Sequence, residues 1–208
     1  AVNGMWYLRG HPRDFDGWGD RGLPSWNWSA IEQAYREIED YLEPGAHGSR
    51  GRGGPLQITQ STYKSEVFDA IVAACGKIGI DWTDDICAPG IEGVGRTQYT
   101  VDRRGKRASA YEAFLAPVRS RPNLSIVTEE QVKRVIIEDG RAVGIECDRS
   151  GQSVRYGARR EVILSAGVYK SPQLLMLSGV GPAPVLAEHG IAVVRDLPAV
   201  GENLCDHV

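Results

Sequence analysis

The residues of this chain best suited to acid–base chemistry are Asp206 and His207, side by side, and three further histidines, His11, His47 and His189. A carboxylate next to an imidazole is what a general base needs, provided the carboxylate can reach and orient the ring. Neighbours on an extended chain point to opposite faces, which argues against a direct relay between Asp206 and His207. The other histidines lack metal-ligand spacing and read as loop or surface residues. Cys75, Cys87, Cys147 and Cys205 are equally scattered, with no Cys-x-x-Cys pair, so neither zinc nor a dithiol redox motif is indicated. Wide spacing favours reduced, mostly buried thiols and a cytoplasmic compartment.

Three stretches could bind rather than react. Residues 45–54 hold five glycines with Arg50 and Arg52. A glycine-rich basic loop can cradle phosphate, but no apolar strand precedes this one and no helix follows, so it reads as a flexible surface loop. Trp18, Trp26 and Trp28 crowd one region and permit a carbohydrate-binding platform. Val162-Ile163-Leu164-Ser165-Ala166-Gly167, running into Ser171-Pro172-Gln173-Leu174-Leu175-Met176-Leu177, reads as a buried strand, a small-residue turn and a short helix. Ser171 suits an N-cap and Pro172 a first helical position. Ser165, Ala166 and Gly167 leave little bulk at the strand end, as a backbone approached by a flat cofactor requires. An ordinary strand-to-helix crossover fits the same residues.

These stretches need elements to position them. Residues 1–28 show no clean period and read as loop. Ser29-Ala30-Ile31-Glu32 reads as a capping box, opening a helix whose apolar residues run from Ile31 to Leu42 and which Pro44-Gly45 ends. Leu56–Thr59 reads as a strand, residues 65–78 as a helix stopped by Gly79, 81–107 as irregular, and 108–115 as a short helix. Leu124–Val127 is a strand candidate. Asp139-Gly140 and Ser150-Gly151 punctuate residues 131–157 into a three-stranded meander. Val162–Leu164 reads as a strand covered on both faces. Short helices follow at 172–177 and 183–189, the latter closed by Gly190.

The bulk numbers bound the class. The 208 residues suffice for one large or two small domains. A 42% hydrophobic and 25% charged composition is that of a globular protein, and a formal charge of −3 argues against nucleic-acid binding. No apolar run approaches the roughly 20 residues of a membrane helix. The order of a strand, a meander and a strand ending in Ser-Ala-Gly is not a plain βαβ repeat. It is an α/β arrangement with α+β elements, in which a meander replaces a crossover helix, as in FAD-binding Rossmann-type domains.

Four blocks then carry a family resemblance. They are Asn3-Gly4-Met5-Trp6-Tyr7-Leu8-Arg9-Gly10-His11 with Asp14-Phe15-Asp16 and Trp18; Gly53-Gly54-Pro55-Leu56; Gly167 to Gly181; and Val200-Gly201-Glu202-Asn203-Leu204 with Asp206-His207. In this order they resemble the glucose–methanol–choline (GMC) oxidoreductases, and most the choline-dehydrogenase-like branch. Cys205 stands where the family usually has Gln, and Lys170 where it usually has Asn.

The resemblance implies an internal fragment of an FAD-dependent oxidoreductase that oxidises the CH–OH group of a small-molecule alcohol and passes electrons to oxygen or a quinone. By resemblance a His takes the hydroxyl proton while hydride passes to the flavin. That base is expected downstream of Val208, and the pyrophosphate loop upstream of residue 1, so the chain alone is expected to be inactive. Asn3, Gly4, Met5 and Trp6 match positions beside the flavin, Val132 one whose main chain pairs with adenine, and Ala166 and Gly167 the small turn at the cofactor. The implied division is 1–54 as flavin lid and extended FAD-binding segment, 55–118 as part of a substrate domain, 119–185 as part of the FAD-binding domain, and 186–208 as the return to the substrate domain. No metal, nucleic acid or membrane segment is expected.

Overall fold

A computed structural model describes residues 3–43 and 48–205. The expected helix stop at Pro44-Gly45, together with His47, Asp206 and His207, lies outside them. The chain divides into two compact units, one ending at Leu124 and the other starting at Ser125.

The first unit begins with a correction. Where loop is expected, α1 spans Pro12–Asp20. His11 caps it: its Nδ1 accepts the Arg13 N–H at 3.2 Å, while the Asp14 carboxylate accepts the His11 N–H at 3.1 Å. This reciprocal cap, with Pro12 in the first turn, offsets the poor propensity of Gly17 and Gly19. After a 3-10 turn at Pro24–Trp26, α2 runs from Trp28 to Ile38. Its cap is Asn27, not Ser29: the Asn27 side chain accepts the Ala30 N–H at 3.2 Å and the Ser29 hydroxyl at 2.8 Å.

Helix α2 also stops earlier than the apolar spacing predicts. Glu39–Tyr41 form strand β1, in which Glu39 and Tyr41 point inward and Asp40 does not. That two-residue alternation is the strand period, fixed here by parallel pairing with β2, Leu56–Gln60. On the other side β2 pairs antiparallel with β3, Gln98–Tyr99. Tyr7, Tyr41, Ile58 and Cys87 form the buried apolar cluster of this sheet.

Helix α3, Glu66–Lys77, matches its expected span, with Ser65 as N-cap and Gly79 at φ +82° just beyond its end. The short helix expected at 108–115 is a π-type turn at Tyr111–Leu115 followed by a 3-10 turn at Ala116–Val118.

In the second unit the meander stands as expected: β4 (Gln131–Glu138), β5 (Arg141–Arg149) and β6 (Gln152–Gly157), antiparallel and in that order. Both turns have two residues at positive φ, Asp139 and Gly140 at +48° and +75°, and Ser150 and Gly151 at +51° and +86°. That is the hairpin turn whose twist matches the strands.

Two strand expectations fail. Leu124–Val127 and Val162–Leu164 are in neither case part of a ladder. A short apolar run becomes a strand only beside a partner, and no described strand pairs with either; Ile163 is 77% exposed. Helix α4 spans Gly167–Leu177, starting well before the predicted cap. Gly167 opens it at φ +87°, Pro172 lies inside it, and the Ser171 hydroxyl instead accepts the Ala166 N–H at 3.1 Å. Strand β7 (Val180–Gly181) pairs parallel with β8 (Arg195–Asp196), and α5 (Ala183–Glu188) lies between them in sequence. Gly190, at φ +65°, follows α5 as predicted.

Candidate functional site

In the first unit the site segment is Asn3–Trp6, laid along the outer edge of β3. Its shape starts with Asn3, whose Oδ1 accepts the Met5 N–H at 2.9 Å. This asparagine turn holds Met5 at φ +66°, a left-handed value uncommon for a residue with a side chain. The Met5 carbonyl accepts the Thr100 N–H at 2.8 Å and its hydroxyl at 3.3 Å. Trp6 bridges Tyr99, and the Tyr7 N–H donates to the Gln98 carbonyl at 2.9 Å. The inner side of the segment is thereby bonded to the sheet.

The other side is open. A Cβ at Gly4 would meet nothing within 4 Å, and Trp6 is 71% exposed. A glycine with free space above it beside a bare aromatic ring is what a flat ring system needs in order to pack closely. Sequence reasoning missed Arg107, whose Nη1 donates to the Asn3 carbonyl and to Asn3 Oδ1, each at 3.0 Å. It sits 104 residues away, so no local pattern reveals it.

Behind this segment lies a buried charge cluster that overturns the flexible-loop reading at Ser49–Gly51, while Gly45–His47 of the 45–54 stretch lie outside the described residues. Ser49, Arg50 and Gly51 are buried. Arg50 donates from Nη1 to Asp85 at 2.7 Å and to Gln98 at 2.8 Å, and from Nε to Glu39 at 3.1 Å. Arg9 pairs with the same Glu39, and the Gly51 N–H donates to it at 2.9 Å. The basic residue therefore faces protein carboxylates rather than a phosphate. Burial disfavours the charged guanidinium, yet the Glu39 hydrogen bonds and charge outweigh it and hold the Arg50 pKa above its ordinary value. Burial, reinforced by Asp85, pushes Tyr41 up to about 12, and burial with Glu39 raises Tyr7 further. Burial likewise raises the Cys87 thiol, whose sulfur lies 3.5 Å from the Tyr7 carbonyl.

The tryptophans do not make a sugar platform. Trp18 meets Phe15 edge-on, with centroids 5.3 Å apart, and meets Trp26 at 6.2 Å and 70°. Trp28 packs on Phe15 and Tyr35. The rings close the α1–α2 corner and present no shared flat face. His11 and His189 serve as caps of α1 and α5. Among the described residues no cluster could hold a metal ion, and all four cysteines are free. Among them, too, no helix is long and apolar enough to cross a membrane.

In the second unit Val132 lies on β4, an outer strand of the meander, opposite Cys147 and beside a register shift between Val132 and Arg134. An outer strand leaves alternate main-chain groups unladdered, and a bulge re-aims them. Helix α4 is tied to this strand by Ser178, whose Oγ accepts the Val135 N–H at 2.8 Å and donates to the Leu174 carbonyl. Ala166 and Gly167 open that helix at the surface, with nothing within 4 Å of a Cβ on Gly167. Next to them an open cleft of about 570 Å³ is lined by Val168, Tyr169, Pro172 and Met176 on α4 and by Gly201–Cys205. These residues fit an extended cofactor: outer-strand main chain at Val132, bulk-free backbone at Gly167, and an apolar cleft.

Comparison with known proteins shows what the chain as a whole is similar to. The family described as GMC oxidoreductase matches residues 1–208. An oxygen-dependent choline dehydrogenase of Sinorhizobium medicae (strain WSM419) is 41% identical over all of this chain, which spans 37% of that relative. A crystal structure of pyridoxine 4-oxidase from Mesorbium loti superposes with TM-score 0.87 at 33% identity, over 95% of this chain and 39% of that one. An FAD-dependent oxidoreductase from Chaetomium thermophilum gives 0.87 at 29%, over 95% and 36%. The chain is thus an α/β piece of the fold these enzymes share.

Proposed function

The chain belongs to the GMC oxidoreductase family, and we propose that a full-length protein carrying it is an FAD-dependent oxidoreductase acting on the CH–OH group of a small-molecule alcohol. Bound FAD would accept the electrons removed from that carbon, with oxygen or a quinone as the final acceptor. The chain's own share is binding and orientation. Asn3, Gly4, Met5 and Trp6 would pack beside the flavin, Val132 would offer its main chain to the adenine, and Ala166 and Gly167 would let the cofactor approach. Residues 1–54 would form the flavin lid and extended FAD segment, 55–118 part of the substrate domain, 119–185 part of the FAD domain, and 186–208 the return to the substrate domain. No residue of this chain is assigned as the base. Free thiols favour a cytoplasmic location.

The observation that carries this reading is the Asn3–Trp6 segment: bonded to the sheet on one side, open at Gly4 and bare at Trp6 on the other. The choline-dehydrogenase relative makes choline the first alcohol to try. A full-length protein should purify yellow with FAD, and should reduce an artificial acceptor with choline or another alcohol. A colourless, folded protein that cannot be reconstituted with FAD would end this reading. The carbohydrate-binding alternative gains nothing from tryptophans packed on other rings in the α1–α2 corner.

A further inference from the structure

We infer that Arg107 is a positioning residue that locks the Asn3–Met5 turn in the shape that receives the cofactor. The inference rests on the proposed FAD site and deepens it.

Arg107 ends a tight hairpin. The Asp102 N–H donates to the Lys106 carbonyl at 2.8 Å, Gly105 takes φ +76°, and Val101 bridges Arg107. Inside the turn Asp102 Oδ1 accepts the N–H groups of Arg104 at 2.8 Å and of Lys106 at 2.9 Å. Directly beyond it the Ala108 N–H returns to the Thr100 carbonyl at 2.9 Å. Thr100 is the residue that holds the Met5 carbonyl. The hairpin therefore grips both ends of one turn: Thr100 takes Met5, and Arg107 takes Asn3.

The grip is specific in its chemistry. A single Nη1 lies 3.0 Å from both the carbonyl and the side-chain oxygen of Asn3. Both acceptors must sit on the same side of the residue, which fixes the asparagine rotamer. That rotamer also places Oδ1 on the Met5 N–H, and so holds the left-handed Met5 in place. Without the guanidinium the Asn3 side chain is free to leave the turn, and Met5 can relax to an ordinary φ. The open face at Gly4 and Trp6 would then lose its shape while the sheet and the buried cluster stay intact.

The test uses the full-length protein with FAD bound. Arg107→Gln should speed FAD release about tenfold, as expected for loss of hydrogen bonds from a charged donor, and should shift the visible flavin spectrum. The apoprotein melting temperature should barely move, because neither Arg107 nor Asn3 belongs to the buried apolar cluster of the sheet. Arg107→Lys keeps the charge and one reachable acceptor, and should restore part of the retention. Asn3→Ala should resemble Arg107→Gln, and the double variant should be no worse than either single one, since both break the same turn. Wild-type release rates in Arg107→Gln and Arg107→Lys would overturn the inference and leave the FAD assignment standing. So would multiplying effects in the double variant. A wild-type protein that holds no FAD would instead remove the assignment, and this inference with it.

Discussion

The guanidinium carbon of Arg50 lies 3.8 Å from the centre of the Tyr41 ring. The same group is paired with Glu39 and Asp85, so one buried cation ties the loop after β1 to β1 itself and to the segment around Asp85. Arg50→Met would keep the bulk but remove the cation that Glu39 and Asp85 share, leaving Asp85 only the neutral donors Gln98 Nε2 and the Cys87 N–H. Removing one partner of a buried pair costs about 3–5 kcal/mol. The variant should unfold at markedly lower denaturant or not accumulate at all, and a midpoint within error of wild type would contradict the assignment of Arg50 as the cluster's centre.

Glycines in the same loop give a sharper contrast. A Cβ on Gly51 would fall 2.2 Å from the Arg36 carbonyl oxygen, whereas one on Gly53 meets nothing within 4 Å. Gly51→Ala must move backbone and should cost about 3 kcal/mol, the upper range of overpacking. Gly53→Ala suffers only the strain of φ +74°, about 1 kcal/mol for an alanine at positive φ. Thermal melts of the two variants decide it; equal losses would show that loop geometry, not the close approach, governs this glycine run.

How much of this was legible from sequence depended on the range of the forces involved. Asp139-Gly140 and Ser150-Gly151 announce their turns because turn chemistry is local. So does Gly79 after α3. Arg50 looks like a surface arginine among glycines because its partners Asp85 and Gln98 stand 35 and 48 residues away. Glu39–Tyr41 continues a helical spacing and becomes strand only through pairing with Leu56–Ile58. Val162–Leu164 errs the other way: its apolar run predicts a strand, and no described strand supplies the ladder. The blocks on which the proposed site rests carry the family resemblance. Thr100 and Arg107, which hold Met5 and Asn3, were not legible.

Alkaline pH should weaken the first unit. Tyr41 is raised from an ordinary 10.0 to about 12, so the folded protein keeps the proton after the unfolded chain has begun to lose it. Its contribution is fully present below pH 10 and is lost as pH rises towards about 12. The melting temperature should fall across that window. Tyr41→Phe, which has no proton to lose, should flatten the fall. An unchanged slope in the phenylalanine variant would show that other groups carry the alkaline effect.

Ser178 offers a local test in the second unit. Its buried hydroxyl is the partner of the Val135 N–H on β4, so Ser178→Ala leaves a buried donor unmet at a cost of about 1–3 kcal/mol. Amide exchange at Val135 should accelerate more than exchange at Ile145, its partner across the ladder. Uniform acceleration over the whole meander would mean general destabilisation rather than loss of one bond.

The main chain at Val132 separates flavin binding from simple strand packing. In a full-length protein Val132→Pro removes the N–H proposed to meet adenine and should lower the FAD content. Proline also disturbs β4 where its register already shifts between Val132 and Arg134, so Val132→Ile is the control: it keeps the main chain and should keep the flavin. Trp26→Ala and Trp28→Ala alter the α1–α2 corner, where these rings pack on Trp18, Phe15 and Tyr35, and should leave flavin stoichiometry largely intact. Absorbance of the bound flavin per protein chain reads all four variants. If the isoleucine variant loses FAD as the proline variant does, the side chain and its packing matter, and the proposed main-chain contact to adenine fails. If only the proline variant loses it while the meander keeps its strand signature in circular dichroism, the loss belongs to the missing donor.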